Sequence, residues 1–188
     1  MLVLASASPR RQELLRAAGI SFTVQPPDVD ETRLAGESAR ECAERLAREK
    51  ALAVSRTRPH DLILGADTIV VVDETILGKP LDADDAVRMW RLLSGRVHQV
   101  ITGVCFVEPT AAGHTARTAL ETTLVTMSEV SDGEIRAYVA TGEPMDKAGA
   151  YAIQGIASRW IPRIEGDYSN VVGLPVSLVY RMLREKKL

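Results

Sequence analysis

The sequence predicts an α/β or α+β domain built on a curved mixed sheet. Three observations lead there. Short apolar runs, Leu2-Val3-Leu4-Ala5 and Ile69-Val70-Val71-Val72, read as buried strands. Apolar residues recur at helical spacing in segments with recognisable start and stop residues. The two patterns mix without strict alternation. A chain of 188 residues, 46% hydrophobic and 26% charged, is ordinary for a folded protein that buries its own core.

The elements follow in order. Residues 2–5 form the first strand. Ser8 as N-cap, with Pro9 at the first helical position, starts a helix that carries Leu14, Leu15 and Ala18 and stops at Gly19. Residues 22–25 make a second strand, and Pro26, Pro27 and Asp28-Val29-Asp30-Glu31 a loop. A long helix covers about 38–55, with Ala43, Leu46, Ala47 and Ala51 on one face. Strand is expected on either side of a special bend at Gly65-Ala66-Asp67-Thr68. Asp73-Glu74 then turns the chain into Ile76-Leu77 and Gly78-Lys79-Pro80. A helix over about 83–93 ends at Ser94-Gly95, and two strands at about 97–107 and 115–126 are joined around Gly113. A helix at 132–141 ends at Gly142. A strand near 159–164, a Gly166-Asp167 turn and a last helix from Pro175 to about Lys186 complete the chain. No repeat, low-complexity segment or flexible linker interrupts it, so residues 1–188 read as one domain.

Composition narrows the function. A net charge of −2 provides no global field for polyanions, and 4% aromatic residues leave few rings for stacking bases, so nucleic acid is not the expected partner. Cys42 and Cys105 are far apart, and His60, His98 and His114 are scattered, so neither a zinc site nor a disulfide framework is expected. The histidines read as surface or packing residues. The apolar start is too short for a signal segment, and no run of about 18 apolar residues follows. The expectation is a cytoplasmic protein with no membrane partner. The P-loop, GxGxxG, GxSxG and HExxH patterns have no match.

Several segments carry chemistry. Arg10 and Arg11 stand in the first turn of a helix, where acidic residues are the norm. Either an anion sits there, held by free N–H groups and guanidinium forks, or both side chains point to solvent. Neither is expected to pack, so their removal should leave the melting temperature nearly unchanged. Asp67 interrupts a run of buried-strand residues, which is costly unless a cation or hydrogen bonds satisfy it. Asp28, Asp30 and Glu31 read as a solvated acidic loop or as hard oxygen ligands for Mg²⁺. Lys50, among Arg45, Arg48 and Glu49, reads by default as part of a solvated helix face, whereas Lys79 is constrained between Gly78 and Pro80. Asp146-Lys147-Ala148-Gly149-Ala150-Tyr151 and Gln154-Gly155 set polar groups among small residues, as in a close-fitting ligand loop or a set of tight turns.

Taken in order, Leu4-Ala5-Ser6-Ala7-Ser8-Pro9-Arg10-Arg11, the acidic loop ending at Glu31, Leu46-Ala47-Arg48-Glu49-Lys50-Ala51, Gly65-Ala66-Asp67-Thr68, Leu77-Gly78-Lys79-Pro80, Leu93-Ser94-Gly95-Arg96, residues 146–151 through Gln154-Gly155, and Gly173-Leu174-Pro175 resemble the Maf family of nucleotide pyrophosphatases. The resemblance spans nearly the whole chain. It implies a two-lobed α/β fold of the inosine-triphosphate-pyrophosphatase type, with lobes sharing one core and the active site in the cleft. It implies hydrolysis between the α- and β-phosphates with a divalent metal, Mg²⁺ or Mn²⁺. Asp67 would then be the proton acceptor, and Glu31 would help Asp67 hold the metal. Arg11, Lys50 and Lys79 would face the phosphates, and Arg10, Thr68 and Gln154 would stand at positions linked to substrate choice. The Ser-Pro-Arg-Arg start and the Asp-Lys-Ala-Gly-Ala-Tyr…Gln segment resemble members that act on dTTP and UTP, rather than on 7-methyl-GTP. The family also implies a homodimer and links to removal of modified nucleotides and to arrest of septum formation. A non-enzymatic regulator of division, working through a protein partner, is the competing reading.

Overall fold

Val3, Leu4 and Ala5 of strand β1 (Leu2–Ala5) are all fully buried, as a central parallel strand covered on both faces must be. β1 pairs in parallel with β2 (Thr23–Val24) on one side and with β3 (Leu62–Val72) on the other. β3 turns back into β4 (Thr75–Leu77) through Asp73 and Glu74, whose φ of 44° and 66° have the hand that a two-residue hairpin requires. β5 (Val97–Thr110), β6 (Gly113–Thr126) and β7 (Arg163–Glu165) complete an open mixed sheet of seven strands. Its order is β2-β1-β3-β5-β6-β7, with β4 joined to β3. Helices α1 (Pro9–Ala17), α2 (Ala39–Ser55), α3 (Ala83–Leu93), α4 (Asp132–Ala140), α5 (Tyr168–Val172) and α6 (Val176–Glu185) flank it. This computed structural model describes residues 1–111 and 113–185, so Lys186, the expected end of the last helix, lies outside the described residues. The mixed α/β architecture is the one the sequence predicts.

The chain divides into two compact units. The first comprises Met1–Thr68, Thr102–Glu121 and Gly173 onward; the second comprises Ile69–Ile101 and Thr122–Val172. In the first unit the sheet is covered on both faces. Val3, Ala5, Ile63, Cys105 and Val107 meet Ala47, Ala51 and Val54 of α2. The alternate residues Leu4, Leu64, Ala66, Val104 and Phe106 meet Leu15 of α1 and Leu174, Leu178, Val179 and Met182 at α6. The second unit has its own core around Trp90, Tyr138 and Trp160, whose rings pack edge-on with centroids 5.0–5.8 Å apart.

Three expectations are corrected. The bend at Gly65-Ala66-Asp67-Thr68 is absent: β3 runs unbroken from Leu62 to Val72, because the charge on Asp67 finds its partner without breaking the ladder. The strand expected over 159–164 is instead a 3-10 turn, Ile156–Trp160, followed by the short β7. Ala157 and Trp160, three apart, both point inward, which suits three residues per turn and not a strand. The second strand shrinks from 22–25 to Thr23–Val24.

Candidate active site

Helix α2 starts at Ser38, whose side chain caps Glu41 while Glu41 caps Ser38 in return. Its inner face carries alanines where most helices carry larger side chains. Opposite them stand Gly65 on β3 and Gly103 on β5. A Cβ on Gly65 would lie 2.2 Å from the Ala47 carbonyl oxygen, and one on Gly103 2.2 Å from that of Ala43. The helix therefore rests on the sheet backbone itself. Asp67 lies two residues beyond Gly65, on the same face of the strand. Lys50, one residue before Ala51, reaches it directly: Nζ is 2.6 Å from Asp67 Oδ1. Both residues are buried, Lys50 at 5% and Asp67 at 7% exposure. Burial of either charge alone would be costly, and the pair compensates.

Glu31 brings a second carboxylate to the same ammonium, with Oε1 2.9 Å from Nζ. It comes from the acidic loop, which α2 fastens. Arg45 grips Glu37 through Nε at 2.6 Å and Nη2 at 2.8 Å, and donates to the Thr32 carbonyl at 3.2 Å. That fork holds the Glu37 carboxyl down at about 2. Asp30 accepts from the Thr32 amide and hydroxyl at 2.9 and 2.6 Å, which lowers its pKa.

Arg11 stands at the other end of this arrangement. Ser8 caps α1, and no acidic residue occupies its first turn. β1 ends at Ala5 opposite Gly65, and Arg11 Nη1 takes the next carbonyl of β3, Ala66 O, at 2.8 Å. Arg11 also donates to Gly173 O at 2.8 Å, Thr68 Oγ1 at 3.1 Å and Ser6 Oγ at 3.3 Å. Thr68 Oγ1 lies 3.0 Å from Thr102 Oγ1 and 3.2 Å from Gly173 O. Burial lowers the Arg11 pKa, opposed by the charges of Asp67 and Glu31, with Arg10 acting in the same sense as burial.

In the second unit Lys79 and Gln154 are both exposed. The Gly149 amide donates to Gly78 O at 3.0 Å, tying the Gly78-Lys79-Pro80 turn to the 146–151 segment. Gly149 has φ 70°, and a Cβ there would meet the Val70 side chain at 3.0 Å. The next residue, Ala150, is also left-handed at φ 56°, and its carbonyl accepts Trp90 Nε1 at 2.7 Å. Lys147 binds locally, to Glu143 O at 2.6 Å and Asp146 Oδ1 at 2.5 Å.

A family model described as Maf-like protein matches residues 1–186. The chain belongs to the Maf family. A dTTP/UTP pyrophosphatase from Koribacter versatilis (strain Ellin345) is 57% identical over 183 residues, covering 97% of this Maf chain and 93% of that protein. Proteins of the same name from Syntrophomonas wolfei and Symbiobacterium thermophilum are 52% and 53% identical, over 97% and 98% of this chain and 96% and 93% of theirs.

Among the residues singled out in the Maf sequence, the structure joins Glu31, Lys50 and Asp67 in one charge cluster, and Arg11 and Thr68 in one hydrogen-bond network. Arg10 is half-buried beside them. Two expectations change. Lys50 does not lie on a solvated face. Arg11 does not point to solvent and is packed, with four of its five N–H groups given to protein acceptors. Asp67 is satisfied by the Lys50 ammonium, one of the ways open to a carboxylate inside a buried strand. Ser6, Thr102 and Arg45 were not singled out. A serine or threonine hydroxyl carries no sequence signal of its own, and Arg45 is one of several charges on its helix. Among the described residues, no three or more of His, Cys, Asp and Glu are gathered as a cage for an ion.

Proposed function

We propose that this chain is a nucleoside triphosphate pyrophosphatase that hydrolyses dTTP and UTP to the monophosphate and pyrophosphate. The observation that carries the reading is Asp67, a carboxylate buried in mid-strand and met by the Lys50 ammonium at 2.6 Å. The names and near-complete coverage of the relatives point the same way. Lys50 engages Oδ1 and leaves Oδ2 to take the proton of an attacking water. The water oxygen bonds to phosphorus, the bridging P–O bond between the α- and β-phosphates breaks, and pyrophosphate departs. Lys50 and Lys79 neutralise the phosphate chain. Arg11 adds its charge and its one remaining N–H.

A divalent cation belongs to this reading, with Mg²⁺ or Mn²⁺ as the specific choice. Magnesium in phosphate-handling enzymes takes one or two carboxylates and fills its remaining positions with phosphate oxygens and water. Glu31 and Asp67, converging on one ammonium, offer such a pair. Bound there, the cation would supply charge neutralisation at the phosphates. Arg10, Thr68 and Gln154 are assigned to substrate choice, with the Gln154 amide reading the N3–H and carbonyl edge of the pyrimidine. Action of the two units as one domain, a homodimeric state and a cytoplasmic location belong to the same proposal, on the family resemblance. Among the described residues no helix is long and apolar enough to cross a membrane.

The test is pyrophosphate release from dTTP, UTP, CTP, dATP and 7-methyl-GTP, with Mg²⁺ and with EDTA. The expected result is release that requires Mg²⁺, with dTTP and UTP ahead of CTP by about 10-fold to 100-fold in kcat/KM. A lead for 7-methyl-GTP would remove the pyrimidine assignment. Release from none of them would leave the non-enzymatic regulator.

A further inference from the structure

Gln154 lies in a tight turn that one distant carboxylate supports. The Gly155 amide donates to Ala152 O at 3.1 Å, closing the turn around Ile153 and Gln154. The next amide, Ile156 N, donates to the carboxylate of Glu143, at 3.1 Å from Oε1 and 3.2 Å from Oε2. Oε1 also accepts the Tyr138 hydroxyl at 2.8 Å. A Cβ on Gly155 would lie 2.3 Å from Glu143 Oε1, so the carboxylate is pressed against the turn's backbone. Tyr138 is buried, and its ring packs edge-on against Trp90 and Trp160. The rigid aromatic core is thus joined through one hydroxyl and one carboxylate to the backbone that follows Gln154. The sequence offers no cue for this, since Glu143 stands 11 positions before Gln154.

An exposed glutamine amide can present its oxygen or its nitrogen to a base edge, and the two orientations suit uracil and cytosine in turn. A turn whose backbone is fixed limits the positions from which that amide can reach the base, which is one requirement of selectivity. We propose that Glu143, supported by Tyr138, is a specificity-determining positioning residue that holds the 152–156 turn so that Gln154 approaches the pyrimidine edge from one fixed position. The inference rests on the reading of Gln154 as the base-contacting residue, and the experiment separates the two.

Steady-state kcat and KM for UTP and CTP are measured on wild type, Gln154→Ala, Glu143→Gln, Glu143→Ala and Tyr138→Phe, and on Gln154→Ala combined with Tyr138→Phe. Tyr138→Phe removes only a hydroxyl and keeps the ring, so it remains informative if Glu143→Ala fails to fold. The expected result is a fall of about 10-fold in the UTP-to-CTP ratio of kcat/KM for Glu143→Ala. The fall should reside mainly in KM, be smaller for Glu143→Gln, which keeps one acceptor oxygen, and be partial for Tyr138→Phe. In the Gln154→Ala background Tyr138→Phe should change the ratio no further. A merely structural role would lower stability or activity on both substrates alike and leave the ratio untouched. If Gln154→Ala shifts the ratio while the Glu143 and Tyr138 variants do not, the positioning role is overturned and the base-reading role stands. If Gln154→Ala leaves the ratio unchanged, the reading of Gln154 fails and this inference with it.

Discussion

Asp67 and Arg11 lie close in the fold, yet their replacement should give opposite signatures. Asp67→Asn keeps the shape and an acceptor oxygen for Lys50 but removes the base, so kcat should fall by about 10²-fold or more. The ammonium keeps Glu31 as a partner, so the fold should survive. Arg11→Ala strips the donor from Ala66 O, Gly173 O and Thr68 Oγ1 at once. Gly173 O keeps the Thr68 hydroxyl and Thr68 Oγ1 keeps Thr102, so the cost is that of about one stranded acceptor, about 1–3 kcal/mol in urea unfolding, alongside a lower kcat/KM. A melting curve unchanged by Arg11→Ala, with activity lost, would mean that Arg11 serves phosphate alone. The arginine pair was legible as an anomaly, because cations in a first helical turn demand a reason. What Arg11 bonds was not, because two of its acceptors are backbone carbonyls far along the chain, and carbonyls are the same in every residue. The burial of Lys50 was hidden in the same way: its neighbours Arg48 and Glu49 look solvated, and only the angle around the helix separates them from it.

Helix α2 shows how packing sets the position of chemical groups. Gly65→Ala would drive a methyl group into the backbone at Ala47 and Ala51, lifting the turn that carries Lys50. Overpacking of this kind costs about 1–3 kcal/mol, and kcat should fall although no reacting group has changed. Gly103→Ala clashes two turns earlier, at Ala43, and should cost similar stability in urea melts with a smaller effect on kcat. Strand β5 carries a different liability. His98 Nε2 lies 2.8 Å from the Tyr151 hydroxyl, Nδ1 is buried without a partner, and burial pushes the imidazole down to about 4 from 6.5. Between those values the unfolded chain binds a proton that the folded chain does not. Stability should therefore be complete above pH 6.5 and fall as the pH drops toward 4, by no more than about 1.4 kcal/mol per pH unit. The loss of the Glu37–Arg45 pair follows at lower pH, from 4.5 toward 2. His98→Gln should flatten the decline in melting temperature between pH 6.5 and 4.5, and an unchanged slope would clear His98. Helices α1, α2 and α3 stood out in the sequence because their signals are local: a cap and a proline for α1, an apolar face for α2 and a Ser-Gly stop for α3. The five-residue α5 and the 3-10 turns between 143 and 160 did not, because pieces so short hold their shape through the core they touch.

For the chain as one thermodynamic system, ligand linkage gives the broadest check. A non-hydrolysed dTTP analogue with Mg²⁺ at about 100 times its Kd should stabilise by about 2.7 kcal/mol. For a chain of this length that is a rise of roughly 5–10 °C in Tm. EDTA should abolish most of it; an equal rise in EDTA would show that the nucleotide binds without the cation. The division of the chain carries a consequence for its birth on the ribosome. The first unit is assembled from three separate stretches, and its cluster of Leu4, Leu15 and Leu64 is closed by Leu174, Leu178, Val179 and Met182. Synthesis delivers the beginning of that core long before its closing residues and the Gly173 carbonyl that Arg11 requires. The nascent chain therefore carries its arginine, both carboxylates and the lysine well before the residues that close their core have been made. The Arg11 network, and the core beneath it, can be completed only once residues 173–182 have emerged.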